Sequence, residues 1–382
     1  MTATRTKRIL SVQPVSDGGG SEHALIGMIR QLGANGWECH VAVPGPARLA
    51  SEYGAAGAIL HVIPMRHLTT SGGAGRWAGF AAGWLPAVAR LARLARRLDV
   101  DVVHSNSLHT WYGWAAARRV RRPHVWHARE IVFQSAAALR VERFLTRHFA
   151  DRVIAVSAAV GAQLDPANVV VIVDDPSPDR FTPARAGSFR AGVDLSDAEV
   201  VIGSVARVDT WKGHDVLLDA FPAVAAARPG VRLVVAGAPV PGKEGYYESL
   251  RSRAAMMPGV LWLGARDDVP DLMADLDLFV QVSTEPEPFG LVVVEALTSG
   301  VPVVAGAAGG PLEVLGAGAV GRATAQGRLV APGDAGALAA AILEVLPDGP
   351  SSVTGRRARP RLREGEPGRF SALFDQVAGC GP

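Results

Sequence analysis

At 382 residues the chain is longer than one ordinary domain and suits two of about 180 residues each. A hydrophobic fraction of 48% against 20% charged supports sizeable cores, and a formal charge of +3 is too small to imply nucleic-acid binding. No apolar run reaches the roughly 18 residues of a membrane span, and the two cysteines, Cys39 and Cys380, exclude a disulfide framework and match no metal spacing.

The N-terminal MTATRTKRILSV moves directly into a strand pattern with no secretion signal, so a cytoplasmic location is expected. Short apolar runs at 8–12, 37–43, 59–62, 100–104, 124–127, 152–156 and 169–173 alternate with helical segments, which predicts parallel strands joined by helices. Ligands of such sheets bind beyond the carboxyl ends of the strands, so the residues after each run are the candidates. After the first run comes VSDGGGSEHAL, where Gly18, Gly19 and Gly20 precede a helix start. It is not a dinucleotide GxGxxG, and a tight strand-helix connection reads the same way. His104 and Asn106 follow the fourth run; His127, Arg129 and Glu130 follow the fifth. A histidine at a strand end is more often packed and hydrogen-bonded than catalytic, which is the reading taken for His104. Asp17, Glu22 and Glu130 fall on strand-exit loops. Each alone fits solvation or helix capping, and together they fit a polyol or amine-bearing acceptor better than an anionic one.

Residues 76–98 place Trp77, Phe80, Trp84, Val88, Leu91 and Leu98 on one helical stripe, with Arg90, Arg93, Arg96 and Arg97 mostly opposite. Such a helix can lie on an anionic membrane or cover a sheet. Ending immediately before the strand VDVVH, it is read as the packed crossover. The preceding HLTTSGGAG reads as a mobile loop, and DDPSPDRFTPARAG from Asp174 as a linker. The linker divides a domain at 1–175 from one at 176–355, with a tail at 356–382 whose RRARPRLREGEPG is a solvated basic run before a short closing helix at 370–377, expected to cross back to the first domain.

A second alternation has strands at 200–205, 232–236, 260–263 and 278–282. The first exits into ARVDTWKGHDVLLDAF, where Arg207 and Lys212 precede a helix starting near Asp215. Two cations beside a strand's carboxyl end suit a pyrophosphate, although a solvated loop with two surface cations is common in isolation. The last strand delivers STEPEPFGLVVVEALTSGVPVVAGAAGGPLEVL, 283–315, with Glu287 and Glu295 eight apart. The Phe289-Gly290-Leu291 step between them reads as a loop opening a helix, whose first amides lack partners and form an anion site. Eight residues is a little over two helical turns, so Glu295 is expected near Glu287's side of the helix. An ordinary loop-helix with a capping acid fits the same letters. The Asp-x-Asp pairs Asp99 with Asp101 and Asp275 with Asp277 each precede an apolar strand, where acids cap turns, so no metal is assigned.

Glu, seven residues, Glu around PFGLVVVEAL, followed by SGVPVVA and a glycine pair, resembles the donor-site signature of retaining glycosyltransferases of family four, the group 1 type. The resemblance runs through nearly the whole chain and is strongest over 200–330. It implies the GT-B architecture, an α/β fold of two doubly wound Rossmann-like domains facing a cleft, with the acceptor held by the first and a nucleotide sugar by the second. Arg207 and Lys212 occur five apart before the same helix in that family, where Pro-Asn-Gly commonly stands in place of Asp174-Asp175-Pro176. The resemblance sets the loop of Gly19 and Gly20 against donor phosphate and acceptor, His127 at the reacting sugar and acceptor, and the base beside Arg266. Arg207, Lys212 and the helix start would stabilise the departing diphosphate, Glu287 would bind the sugar's hydroxyls, and Glu295 the ribose.

The expectation is therefore metal-independent transfer of a hexose or N-acetylhexosamine, with retention, from a UDP-linked donor to a cyclitol, aminocyclitol or natural product. It needs no cofactor beyond the sugar nucleotide. Three alternatives stay open: a lipid-linked cell-envelope acceptor, a sugar-nucleotide epimerase, and a non-catalytic nucleotide-sugar binder on the same fold. Oligomeric state is not readable from the letters.

Overall fold

The computed structural model describes residues 5–66, 74–133, 135–174, 179–193, 195–316, 319–349 and 368–379. The readings placed on the 67–73 loop, the centre of the linker at 175–178, the basic run at 355–367 and the side chain of Trp77 lie outside the described residues. The chain forms two compact units, one of 1–175 with 364–382, the other of 176–363.

In the first unit, β1 (Lys7–Val12), β2 (Trp37–Val43), β3 (Ala58–Val62), β4 (Val102–Ser105), β5 (His124–Ala128), β6 (Arg152–Ala155) and β7 (Val169–Val171) form one sheet in the order β3-β2-β1-β4-β5-β6-β7. Every pairing is parallel. Both faces are covered, which is why the strands read as continuous apolar runs rather than alternating ones. Ile9, Val102, Val125 and Ile154 pack with Leu25, Ile29 and Leu32 of the helix Gly20–Ala34 and with Phe370, Phe374 and Val377 of the helix Arg369–Gly379. Leu10, Val12 and Val103 pack on the opposite face with Phe80, Val88, Leu91 and Leu94 of the helix Ala74–Leu98. That helix is a packed crossover with Arg90, Arg93, Arg96 and Arg97 exposed. No described helix is long and apolar enough to cross a membrane.

In the second unit, β8 (Val201–Val205), β9 (Arg232–Ala236), β10 (Val260–Gly264), β11 (Leu278–Gln281), β12 (Val303–Gly306) and β13 (Gly327–Val330) form a parallel sheet in the order β10-β9-β8-β11-β12-β13. The strand β13 escapes sequence reading because it is four residues long and mixes Gly327 and Arg328 with only two apolar residues. Asp275 accepts from the amides of Gly187, Phe189 and Arg190, and Asp277 accepts from Val201 N and Arg190 Nη2, both at 2.8 Å. These acids close a helix start and anchor a buried arginine. Asp101 likewise accepts from Arg8 N at 2.8 Å.

Candidate functional site

The centre of the second unit's site is an ion pair. Lys212, in the exit of β8, places Nζ 2.6 Å from Glu287 Oε2 in the exit of β11. Parallel pairing of these two strands brings their carboxyl ends together at the point where the strand order reverses. The same carboxylate oxygen accepts from Ser283 Oγ at 2.8 Å and Gln281 Nε2 at 3.1 Å, while no donor among the described residues reaches Oε1. Lys212 also sits 4.0 Å from the centroid of the Trp211 ring, and Thr284 N donates to Trp211 O at 2.8 Å, stitching the two loops together. Trp211, Gln281 and Ser283 were not singled out by sequence. Trp211 beside the candidate lysine was the legible signal; the other two act through a turn whose geometry composition does not reveal.

Two glycines shape this arrangement. Gly213 holds φ +69°, and an added Cβ would stand 2.1 Å from Val282 O; at Gly309, with φ +73°, it would stand 2.1 Å from Glu287 O. Only a residue without a side chain allows the approach. Gly310 N donates to Glu287 O at 2.8 Å, so the motif's glycine pair braces the glutamate backbone.

The helix opens at Leu291, at the Phe289-Gly290-Leu291 step the sequence marks. It spans Leu291–Thr298 after Gly290 in the left-handed region at φ 82°, with Phe289 buried behind it. Glu287 therefore lies in the preceding loop, bridged to Gly309, and the expectation that one helix carries both glutamates on one side is corrected. Its backbone leaves the helical path four residues too early for helical spacing to apply. Glu295 is on that helix, 8% exposed, and burial pushes its carboxyl up to about 7 against the opposing pull of Arg180. The amides opening the helix lack partners within it, which makes this end anion-seeking. Arg207 is exposed at the end of β8 and forms no ion pair among the described residues. Arg266 is committed sideways: its guanidinium donates to Asp268 at 2.8 and 2.5 Å, which raises the arginine's pKa and lowers the aspartate's.

In the first unit the structure engages the acidic candidates internally. Glu22 is fully buried, its Oε2 accepting from Gly18 N at 2.6 Å, and Asp17 Oδ1 accepts from Gly19 N at 3.1 Å. Two amides of the glycine loop are thus taken by the chain's own carboxylates, leaving the helix start at Gly20. Burial, helped by Asp17, pushes the Glu22 carboxyl up to about 7. Glu130 accepts from Ser107 Oγ at 2.5 Å, Leu108 N at 2.9 Å and Arg129 N at 3.1 Å, holding the exits of β4 and β5 together. His127 is fully buried, its ring 5.9 Å from that of Phe370 between centroids. Burial, then Arg129, then His104 hold it well below the ordinary histidine range, so it is a neutral imidazole. His104 is buried too, as the packed reading expects. Among the described residues no group of three His, Cys, Asp or Glu is placed to hold a metal.

The sequence matches the model for Glycosyltransferase Family 4 over 18–172 and that for Glycosyl transferases group 1 over 188–361. It is 33% identical over 285 residues to a D-inositol 3-phosphate glycosyltransferase of Mycobacterium sp. (strain KMS), covering 68% of this chain and 61% of that protein's length. It is 29% identical over 269 residues to the lipopolysaccharide core biosynthesis mannosyltransferase LpsB of Rhizobium meliloti, covering 64% and 74%. The fold matches Anabaena HepE, solved with UDP and glucose, with TM-score 0.76 and 26% identity over 98% of each chain. It also matches WaaG, a glycosyltransferase involved in lipopolysaccharide biosynthesis, with TM-score 0.61 over 98% and 99%; at 17% identity that likeness speaks for the GT-B fold alone. With a motif, two sheets and two adjoining family models in agreement, the chain belongs to the group 1 glycosyltransferases.

Proposed function

We propose that the protein transfers a hexose or N-acetylhexosamine, with retention, from a UDP-linked sugar to a small hydroxylated acceptor such as a cyclitol, aminocyclitol or natural product. The observation that carries this reading is the Lys212–Glu287 pair beside the start of the helix Leu291–Thr298. Lys212, Arg207 and the amides following Phe289 and Gly290 would receive the diphosphate, whose charge grows as the anomeric C–O bond breaks. The bond to the acceptor oxygen forms on the same face, and the acceptor's proton passes to the departing phosphate, so no side-chain base is required. The ammonium and guanidinium supply the positive charge, so the reading needs no metal. Glu287 Oε1 faces the sugar's hydroxyls, Glu295 the ribose, and the Arg266 loop the base. Asp17, Glu22, His127 and Glu130 form the acceptor side, and Gly19 and Gly20 are assigned to the donor.

Likeness to a protein solved with UDP supports the donor, and likeness to a D-inositol 3-phosphate glycosyltransferase supports a cyclitol-type acceptor. The similarity to a lipopolysaccharide core mannosyltransferase favours one second reading, a lipid-linked cell-envelope acceptor. Incubation with UDP-glucose and an acceptor panel, followed by NMR of the anomeric proton, tests both. UDP release that depends on one acceptor class, with the donor's anomeric configuration kept, supports transfer. Release without an acceptor, or tight binding with no product, overturns it in favour of epimerisation or simple binding.

A further inference from the structure

Arg129, just beyond β5, distributes its guanidinium over three groups of the first unit. One arm forms a buried ion pair with Asp174, the side chains being 7% and 5% exposed. Nε donates to Asn106 Oδ1 at 2.7 Å, and Nη2 lies 3.4 Å from His127 Nδ1. Asn106 Nδ2 in turn donates to Gln13 Oε1 at 2.6 Å and Ser21 O at 3.1 Å, so the exits of β1, β4 and β5 share one network.

A guanidinium has donors only and keeps its charge. The nitrogen it faces must accept, which leaves the proton of neutral His127 on Nε2. His104 agrees with this assignment. Its Nδ1 lies 3.1 Å from Ser11 Oγ and its Nε2 lies 3.4 Å from the same His127 Nδ1. With the Ser11 hydroxyl donating to His104 Nδ1, His104 Nε2–H becomes a second donor toward His127 Nδ1. His127 Nε2 is buried and finds no hydrogen-bond partner among the described residues. A desolvated donor is strongly favoured to find an acceptor, and the chain leaves this one unspent.

We infer that Arg129 is a positioning residue that locks His127 as its Nε2–H tautomer, reserving that N–H for an oxygen of the bound substrate. What the donor meets rests on the transferase reading above; the tautomer does not. Asp174 holds Arg129 in place, and the imidazole orients without moving a proton.

The test is long-range proton–nitrogen NMR on full-length protein labelled at histidine, with steady-state kinetics on Arg129→Lys, which keeps the charge but not the fork. Wild type should show His127 protonated at Nε2. Arg129→Lys should show a mixture of tautomers and a kcat lower by about 10-fold to 100-fold, with the donor KM nearly unchanged. A His127 protonated at Nδ1 in wild type overturns the inference, and decides it even where the variant does not fold. So does a variant that keeps the Nε2–H tautomer while losing kcat, or loses the tautomer with kcat intact. The inferred tautomer in a protein that transfers no sugar would overturn the transferase reading and leave the Arg129–His127 relation standing.

Discussion

Lys212 and Glu287 are 75 residues apart in sequence and 2.6 Å apart in the structure, joined by the parallel neighbours β8 and β11. Their side chains are 14% and 12% exposed, so the charges are shielded enough to matter and open enough to meet a ligand. Glu287 keeps Ser283 and Gln281 when the ammonium is removed, so Lys212→Ala should fold. Its turnover should fall by about 10²-fold to 10³-fold, the scale for losing one group that stabilises developing charge. Turnover with UDP-glucose and melting temperature, measured side by side, check this. A variant that turns over normally removes Lys212 from the mechanism.

Glu295 makes stability depend on pH in a stated direction. Its carboxyl stands near 7 when folded, raised by burial from an ordinary value of 4.5, and Glu22 is raised to about 7 in the same sense. A raised folded pKa favours the protonated form, so the stabilisation is fully present below about 4.5 and is lost as pH rises through about 7. For Glu295 alone the full shift is worth up to about 3 kcal/mol. Glu295→Gln should therefore gain up to about 3 kcal/mol over wild type at pH 8 and less than about 1 kcal/mol at pH 5 in urea titrations. UDP affinity should fall in the same variant. Equal effects at the two pH values would mean the carboxyl is ionised throughout.

Asp277 is predicted to be a folding residue. Its carboxylate is fully buried against Arg190, which also donates to the carbonyls of Asp275, Ser196 and Glu199. Asp277→Ala strands that guanidinium and should cost about 3–5 kcal/mol. Circular dichroism melts check it, and a chelator should leave the wild-type melt unchanged. A chelator that reproduces the variant's loss would make the Asp-x-Asp pair a metal ligand after all.

Sequence reading succeeded where a local pattern determines the structure. Parallel strands buried on both faces announce themselves as apolar runs, so β2 and β9 fall on their expected limits, while no pattern after the expected linker reveals the short helix Ser188–Gly192 that Asp275 caps. The Glu287 and Lys212 pair was legible as two separate motifs, but their contact is a product of strand order. Burial was the least legible quantity. Glu22, in the first turn of the helix Gly20–Ala34, and His127, near the end of β5, are polar in sequence and nonetheless fully buried. The ring beside His127 is that of Phe370 in the helix Arg369–Gly379, contributed by residues nearly 250 positions later, a distance no local periodicity spans.

Gly213 tests whether the loop geometry itself is required. Its φ of +69° strains any residue with a Cβ by about 1–2 kcal/mol, and the added carbon would overlap Val282 O at 2.1 Å, a backbone atom that cannot rotate away. Gly242 separates these two effects, since it has φ +86° with nothing within 4 Å of an added Cβ. Gly242→Ala should lose only the conformational part and retain full turnover. Gly213→Ala should lose more than about 2 kcal/mol of stability, because Lys212 must move away from Val282 and with it from Glu287. Its kcat should approach that of Lys212→Ala. Chemical denaturation and kinetics on the two variants decide between the causes. Matching behaviour would show that backbone conformation alone is at stake, whereas loss of turnover confined to Gly213→Ala ties the close approach of the two loops to the chemistry.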